Sequence, residues 1–156
     1  MIFVAAYILL VVAVNIAFAI VPLLPLPGGD MFPPVSLLVG LVFVARDFAQ
    51  RAVGHRVIWA MMVATGASYV LADPYVAFAS AAAFAVSELV DWAVYSGTSR
   101  PLRDRILLSS ALSTPIDSAV FLAMIGAFGW AGFVAMTASK MFGALIVWTA
   151  LKRRSA

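Results

Sequence analysis

Residues 75–95, YVAFASAAAFAVSELVDWAVY, form an apolar stretch that is interrupted by two carboxylates, Glu88 and Asp91. The stretch is long enough to cross a bilayer, since a membrane-spanning helix needs about 20 largely apolar residues. A charge at the centre of such a helix costs about 2.5–3.5 kcal/mol on insertion scales when it faces lipid. Both carboxylates must therefore face protein or a wet cavity, which predicts a helical bundle with a polar interior.

Five further segments have the same character, and together they predict an all-α integral membrane protein: a single domain, residues 1–156, built as a bundle of six transmembrane helices. The chain has 156 residues and is 65% hydrophobic and 11% charged, whereas soluble domains are about a quarter charged. Gly126, Gly129 and Gly132 suggest the break between the last two helices. We expect the helices at about residues 2–21, 34–52, 57–71, 75–95, 106–128 and 130–151.

Apart from Arg46 and Lys140, the basic residues lie in or beside alternate loops, and this asymmetry predicts the orientation. They follow the second, fourth and sixth segments, whereas the opposite loops carry Asp30 and Asp73 and no Lys or Arg. Basic loops remain in the cytoplasm, so both termini are expected there. The first segment lacks the basic start of a signal peptide and is expected to be retained as a helix. The basic residues in or beside these loops are Arg51, Arg56, Arg100, Arg103, Arg105, Lys152, Arg153 and Arg154.

The connection after the first segment, residues 22–34, is rich in proline and glycine and cannot continue a helix. It is either a rigid outer connection, which we favour, or a partly re-entrant lid over a cavity, since irregular backbone at membrane depth needs protein or water around it.

The second segment carries three charges. Asp47 and Arg51 are four residues apart, a spacing that places them on one helix face and predicts a salt bridge. Arg46 and Arg51 are expected to extend to the lipid headgroups. Asp47 lies deeper in the segment and is equally consistent with a structural and a functional role.

The fourth segment has a polar face. Phe84, Glu88, Asp91 and Tyr95 follow a 4-3-4 spacing, which is one face of a helix, and Trp92 borders it. Two carboxylates three residues apart repel each other unless a proton, a cation or a donor-rich ligand lies between them. We favour a functional pair over a structural pair that is neutralised by buried or loop cations.

The fifth segment contains SSALSTPIDS, in which Ser110, Ser113 and Thr114 precede Asp117 at helical spacing. Pro115 is expected to kink the helix beside that aspartate, and transporters build binding sites from such interrupted helices. The alternative is a packing seam of small hydroxyl residues, which form contacts between membrane helices. That alternative explains the hydroxyls well and Asp117 poorly.

Two further polar residues belong to the predicted site. Lys140 lies near the middle of the sixth segment, too deep to reach the headgroups, and should pair with Asp117, Glu88 or Asp91. Asn15 is the one strongly polar side chain of the first segment and should hydrogen-bond to a neighbouring helix.

Other chemistries have little support in the sequence. The chain has no cysteine, no paired-histidine metal motif, no nucleophile elbow and no phosphate-binding loop, so we expect no enzyme activity, no cofactor and no bound metal. The six charges deepest in the segments, Arg46, Asp47, Glu88, Asp91, Asp117 and Lys140, sum to two positive and four negative. Such a site suits a cation or a ligand rich in hydrogen-bond donors, and a stacked guanine-like base is compatible with it.

Several stretches resemble the vitamin uptake transporter-like (VUT) family of queuosine-precursor transporters. They are RDFAQRAVG at residues 46–54, VSELVD at 86–91, SSALSTPIDSAVF at 109–121, and Lys140. The matches span residues 44–148, and their order along the chain and their placement on successive helices agree with the family.

The resemblance implies a small six-helix carrier, similar to the substrate-binding components of energy-coupling-factor transporters, in the inner membrane of a bacterium. It would import 7-deazaguanine bases such as 7-cyano-7-deazaguanine, with no nucleic acid as partner. Membrane lipid would surround it, and a homo-oligomer or an ATPase module remain open as partners. By motif position the functional residues would be Asp47, Glu88, Asp91, Asp117 and Lys140.

Three functions are consistent with the sequence. The first is a stand-alone uptake carrier, whose excess carboxylates suggest coupling to protons. The second is the substrate-binding component of an energy-coupling-factor transporter for a vitamin-like molecule, with Ala13 and Ala17 as a docking face of small residues. The third is a non-transporting scaffold subunit, in which the charges would form static pairs. The residues expected to bind substrate are Asn15, Asp47, Phe84, Glu88, Asp91, Trp92, Ser113, Asp117 and Lys140.

Overall fold

The computed structural model describes residues 2–71 and 74–154, and within these ranges the chain is almost entirely helical. A single 3₁₀ turn, Gly54–Arg56, separates the second and third helices. The all-α prediction is confirmed, and each helix end lies within four residues of the predicted segment. The α-helices are α1 Ile2–Ile20, α2 Ser36–Val53, α3 Val57–Leu71, α4 Pro74–Gly97, α5 Leu102–Met124 and α6 Trp130–Arg154.

Four of these helices are long and apolar enough to cross a membrane, namely α1, α4, α5 and α6. The other two differ for separate reasons. Helix α2 carries Arg46, Asp47 and Arg51 within its 18 residues, and α3 is only 15 residues long. Helix α5 continues through Pro115 as one α-helix, and the predicted break between α5 and α6 falls at residues 125–129, where Gly126 has a positive φ of 70°.

The proline-rich connection folds into a small hairpin. Strands β1 (Leu24–Pro25) and β2 (Met31–Phe32) pair in antiparallel register. Gly28 and Gly29, in the turn between them, have φ angles of 101° and 91°, a region that residues with a Cβ rarely adopt. The connection thus has a defined structure of its own outside the helices.

Asp30 in this hairpin fixes the start of α6. Its Oδ2 accepts hydrogen bonds from the backbone N–H groups of Ala131 at 2.7 Å and Gly132 at 3.2 Å. A carboxylate at this position satisfies donors that have no partner within the helix and interacts favourably with the helix dipole. We call this side of the molecule the hairpin end.

The opposite side, which we call the basic end, collects loop cations. Arg51 and Arg105 line one cavity there. Nearby, the indole N–H of Trp148 donates to Asp104 at 3.1 Å, and the ammonium of Lys152 lies 5.0 Å from the Trp148 ring. The cations of the alternate basic loops therefore lie together at one end of the bundle, as the loop pattern predicts.

Helices α2 and α6 cross at very short range. The hydroxyls of Ser36 and Ser139 are 2.7 Å apart. A Cβ added to Gly40 would clash with the backbone of Lys140 and lie 2.9 Å from its carbonyl carbon, and one added to Gly143 would lie 2.9 Å from the carbonyl carbon of Gly40. Small residues allow such close approach of membrane helices, and here the approach fixes the backbone that carries Lys140.

We therefore expect Gly40→Ala to lower the thermal unfolding temperature of the purified protein, because the new methyl group forces α2 and α6 apart. Overpacking of this kind costs about 1–3 kcal/mol. Gly66→Ala in α3 is the matched control, since a Cβ there meets nothing within 4 Å and alanine favours the helix. Equal unfolding temperatures for the two variants would contradict the close crossing.

Candidate functional site

The six charged side chains that the sequence places deepest in the predicted membrane segments all lie inside the bundle. Five are completely buried, and Asp117 is 5% exposed. They come from α2, α4, α5 and α6, so that each of these helices turns its charged face inward. We call this set the charge network: Arg46, Asp47, Glu88, Asp91, Asp117 and Lys140.

Arg46 is the centre of the larger half of the network. Its guanidinium lies 3.0 Å from Asp47 Oδ1 and 3.5 Å from Glu88 Oε2, and it also contacts the carboxylate of Asp91. A further N–H donates to the side-chain oxygen of Gln50. One cation from α2 thus holds three carboxylates, two of them from α4, which is how α2 and α4 are joined across the interior.

The expectation that Arg46 extends to the headgroups is therefore wrong. Its guanidinium is completely buried because the buried carboxylates of Glu88 and Asp91 on α4 attract it into the bundle interior. The salt bridge predicted between Asp47 and Arg51 does not form either: Asp47 pairs with Arg46, whereas Arg51 is exposed at the basic end.

Hydroxyl groups from two other helices support the carboxylates around Arg46. Each of the three carboxylates accepts one hydrogen bond of this kind, and α1 and α5 are thereby connected to the same centre. The pairs are Tyr7 with Glu88 at 3.1 Å, Ser109 with Asp47 at 3.5 Å, and Ser113 with Asp91 at 3.4 Å.

The second half of the network is a lysine–aspartate pair. The Lys140 ammonium contacts Asp117 Oδ2 and also donates to Ser118 Oγ at 3.2 Å. The hydroxyl of Ser87 on α4 donates to the other oxygen, Asp117 Oδ1, at 3.1 Å. The sequence allowed three partners for Lys140, and in the structure Lys140 pairs with Asp117.

A small cavity adjoins Asp117 on the side of the hairpin end. Its volume is about 20 Å³, which is room for about one water molecule. The rest of its wall is mostly apolar, with three aromatic rings, Phe18, Phe84 and Phe121, and the polar side chains of Asn15 and Ser80. We call it the central cavity, since α1, α2, α4, α5 and α6 all contribute to it.

Asn15 connects three helices beside this cavity, as its position in an apolar helix predicts. Its amide N–H donates to Ser68 Oγ on α3 at 3.1 Å, and its amide oxygen accepts from Ser80 on α4. The amide is therefore satisfied by protein, and its place in the cavity wall makes it a candidate contact for a ligand.

Trp92 lies apart from the network, contrary to its predicted place in the site. Its indole N–H donates to His55 Nδ1 at 3.2 Å, and the two rings meet edge to face at 5.5 Å. The reason is geometric: Trp92 is one residue beyond Asp91, so its side chain turns from the carboxylate face towards the 3₁₀ turn at the basic end.

Sequence reasoning missed several residues that the network uses. Tyr7 is one aromatic residue in an apolar helix and carries no periodic signal. Ser109 could have been found, because Ser109, Ser113 and Asp117 follow an i, i+4, i+8 spacing on α5. Two hydroxyls of the predicted stripe, Ser110 and Thr114, are buried and have no hydrogen-bond partner within the described ranges.

The network is short of positive charge. Two cations face four carboxylates, and Glu88 Oε1 is buried with no hydrogen-bond partner among the described residues. An unpartnered buried carboxylate oxygen is costly, so the site favours a proton, a cation or a ligand that brings N–H or O–H donors. No group of three or more His, Asp or Glu side chains in residues 2–71 and 74–154 has the geometry to hold a metal ion.

The chain was compared with known proteins at three levels. No protein-family model, no curated protein and no solved structure matches it.

We expect Arg46→Met to prevent accumulation of folded protein, because it leaves three buried carboxylates without their cation. Breaking a buried pair in this way costs about 3–5 kcal/mol. Arg51→Met removes an equal charge from an exposed position and should change stability by at most about 0.5 kcal/mol. Size-exclusion chromatography of a fluorescent fusion in detergent measures both variants.

Two results would show whether loss of the Arg46 charge is the cause. Partial recovery of Arg46→Met by the added changes Glu88→Gln and Asp91→Asn would show that uncompensated carboxylates cause the loss. Equal yields of folded Arg46→Met and Arg51→Met would contradict the central place of Arg46.

Proposed function

We propose that this protein is an uptake carrier for 7-deazaguanine bases, with 7-cyano-7-deazaguanine as the first candidate, in the inner membrane of a bacterium. The observation that carries the proposal is the buried network of four carboxylates with only Arg46 and Lys140 to balance them. The stretches that resemble the VUT family, residues 46–54, 86–91 and 109–121, supply most of this network.

The chemistry of a guanine-like edge is complementary to such a site. That edge presents several N–H donors side by side, and carboxylate oxygens are pure acceptors when ionised. Asp117 faces the central cavity, and Phe84 and Phe121 line it with flat surfaces on which a ring can stack. A ligand that brings donors would also satisfy a network in which Glu88 Oε1 has no partner.

The volume of the central cavity implies that transport needs movement. About 20 Å³ cannot hold a bicyclic base, so Phe84, Phe121 and the neighbouring Met136 must separate for the ligand to reach Asp117. The cavity lies between the charge network and the hairpin end. We therefore propose entry from the hairpin end and release towards the basic end.

The proposed membrane topology has six spans with both termini in the cytoplasm. Helix α2 can span because Arg46 and Asp47 are completely buried, which leaves Arg51 as its one exposed charge. Helix α3, with 15 residues, is about 22 Å long at 1.5 Å per residue, and short spans are accommodated by local thinning of the bilayer. The basic end then faces the cytoplasm, in agreement with the positive-inside rule.

A substrate-binding component of an energy-coupling-factor transporter is the second candidate. It is favoured by the exposure of Ala13 and the partial exposure of Ala17 on the outer face of α1, since small residues allow another helix to dock closely. Uptake by the purified chain in liposomes, without any ATPase, would exclude this dependence.

The test of the carrier is recovery of queuosine in tRNA. A bacterium that can neither make nor import the precursor receives the gene and a low external concentration of 7-cyano-7-deazaguanine. We expect recovery with the native chain and a loss of about tenfold or more for Asp117→Asn and Glu88→Gln, because each removes acceptor charge worth a charged hydrogen bond. Asp104→Asn, at a carboxylate about 33% exposed, should transport normally.

Expression of every variant in the membrane is measured in parallel. Normal recovery by a well-expressed Asp117→Asn would contradict the proposed site. Absence of recovery by a well-expressed native chain would contradict a stand-alone carrier for this base.

A further inference from the structure

A second cavity opens at the basic end, on the opposite side of the charge network from the central cavity. Its volume is about 340 Å³, and it lies between the last turns of α2 and α4 and the first turn of α5. We call it the basic-end cavity. Its polar lining consists of Gln50, Arg51, His55, Tyr95, Ser96 and Arg105.

The two arginines in this cavity have no counter-charge. Among residues 2–71 and 74–154, neither Arg51 nor Arg105 has a carboxylate within salt-bridge distance, and no described residue in the lining is acidic. The Arg105 Nε–H donates to the carbonyl of Arg100 at 2.9 Å, and its guanidinium also interacts with Tyr95; both contacts position the side chain and neither neutralises its charge. Two guanidiniums without a carboxylate partner in one concave site create a field that attracts anions.

His55 adds a donor to the same cavity. Its Nδ1 accepts the hydrogen bond from Trp92, so the proton of the neutral imidazole must be on Nε2. The hydroxyl of Ser96 accepts from Gln50 at 2.9 Å and keeps its own O–H to donate. The polar groups that this cavity offers are therefore mostly donors.

The cavity is in direct contact with the charge network. Gln50 bridges the two, since its amide N–H donates to Ser96 and its amide oxygen accepts from Arg46. The ring of Tyr95 is shared in the same way, with the Arg46 guanidinium at 5.9 Å and the Arg105 guanidinium at 5.3 Å from its centre.

We propose that the basic-end cavity is a binding site for a phosphate group, held by Arg51 and Arg105 with His55 as an additional donor. Guanidinium groups bind phosphate oxygens through paired hydrogen bonds that are stronger than neutral ones. The phosphate can belong to a phospholipid headgroup at the membrane surface or to a soluble phosphate compound on that side. The site does not depend on the proposed carrier function.

The first arm of the test uses inorganic phosphate. The purified chain in neutral detergent is titrated with sodium phosphate against sodium chloride at equal ionic strength, and thermal unfolding reports binding. The second arm uses native mass spectrometry of the chain in nanodiscs of phosphatidylcholine with and without phosphatidylglycerol, and counts retained lipid.

The variants separate this cavity from general surface charge. Arg51→Gln with Arg105→Gln should weaken binding by about tenfold or more, since each lost charged hydrogen bond is worth about 1.5–3 kcal/mol. Arg56→Gln with Arg153→Gln removes two exposed cations outside the lining and should change binding by about twofold at most. Should the first double variant not fold, Arg51→Gln alone decides, because Arg51 is exposed and has no ion pair among the described residues.

Four outcomes are possible, of which two support the site and two overturn it. Phosphate binding that only the Arg51 and Arg105 changes reduce would support the site with a soluble ligand, and selective loss of retained phosphatidylglycerol would support it with a lipid. Binding of neither probe by the native chain, or an equal loss in both double variants, would overturn the proposal.

Discussion

The buried guanidinium of Arg46 is the interaction on which the rest of the interior depends. It lies among Asp47, Glu88 and Asp91, and isolated carboxylates would be too costly to bury in an apolar bundle. Because the carboxylates also accept hydrogen bonds from α1 and α5, four helices converge on one cation. The same contacts that hold the bundle together therefore form the polar site, so that stability and ligand chemistry cannot be separated there.

The second constraint is the close crossing of α2 and α6. Gly40 and Gly143 let the two backbones approach, and this fixes Lys140 at the depth of Asp117. Asp117 belongs both to the lysine pair and to the wall of the central cavity. It is thus the member of the network that a ligand arriving from the hairpin end would meet first.

The network also lies between two cavities of different character. The central cavity is small and mostly apolar, with Asp117 in its wall, and the basic-end cavity is larger and lined by cations and other donors. Gln50 and Tyr95, which line the basic-end cavity, also contact Arg46. A ligand that displaced Arg46 from its carboxylates would therefore disturb the contacts of both residues, which gives the proposed release path a physical basis.

Hydropathy and loop charge predicted the helices, because these signals are local. The 4-3-4 spacing likewise predicted that Glu88 and Asp91 share a face. The errors concern partners across helices: the sequence favoured Arg51 as the partner of Asp47 and headgroups for Arg46, since only neighbours within a helix can be read from spacing. Tyr7 was missed for the same reason, since its partner Glu88 is on another helix. Likewise, the pairing of Lys140 with Asp117 depends on how α5 and α6 pack, which the sequence of either helix alone does not show.

Direct binding tests the central claim, that the anionic network recognises the donor edge of a guanine-like base. The purified chain in nanodiscs is titrated with 7-cyano-7-deazaguanine by isothermal calorimetry, alone and after saturation with guanine or adenine. We expect saturable binding that guanine weakens and adenine does not, because adenine presents a different pattern of donors on that edge. Absence of binding, or equal competition by the two bases, would contradict it.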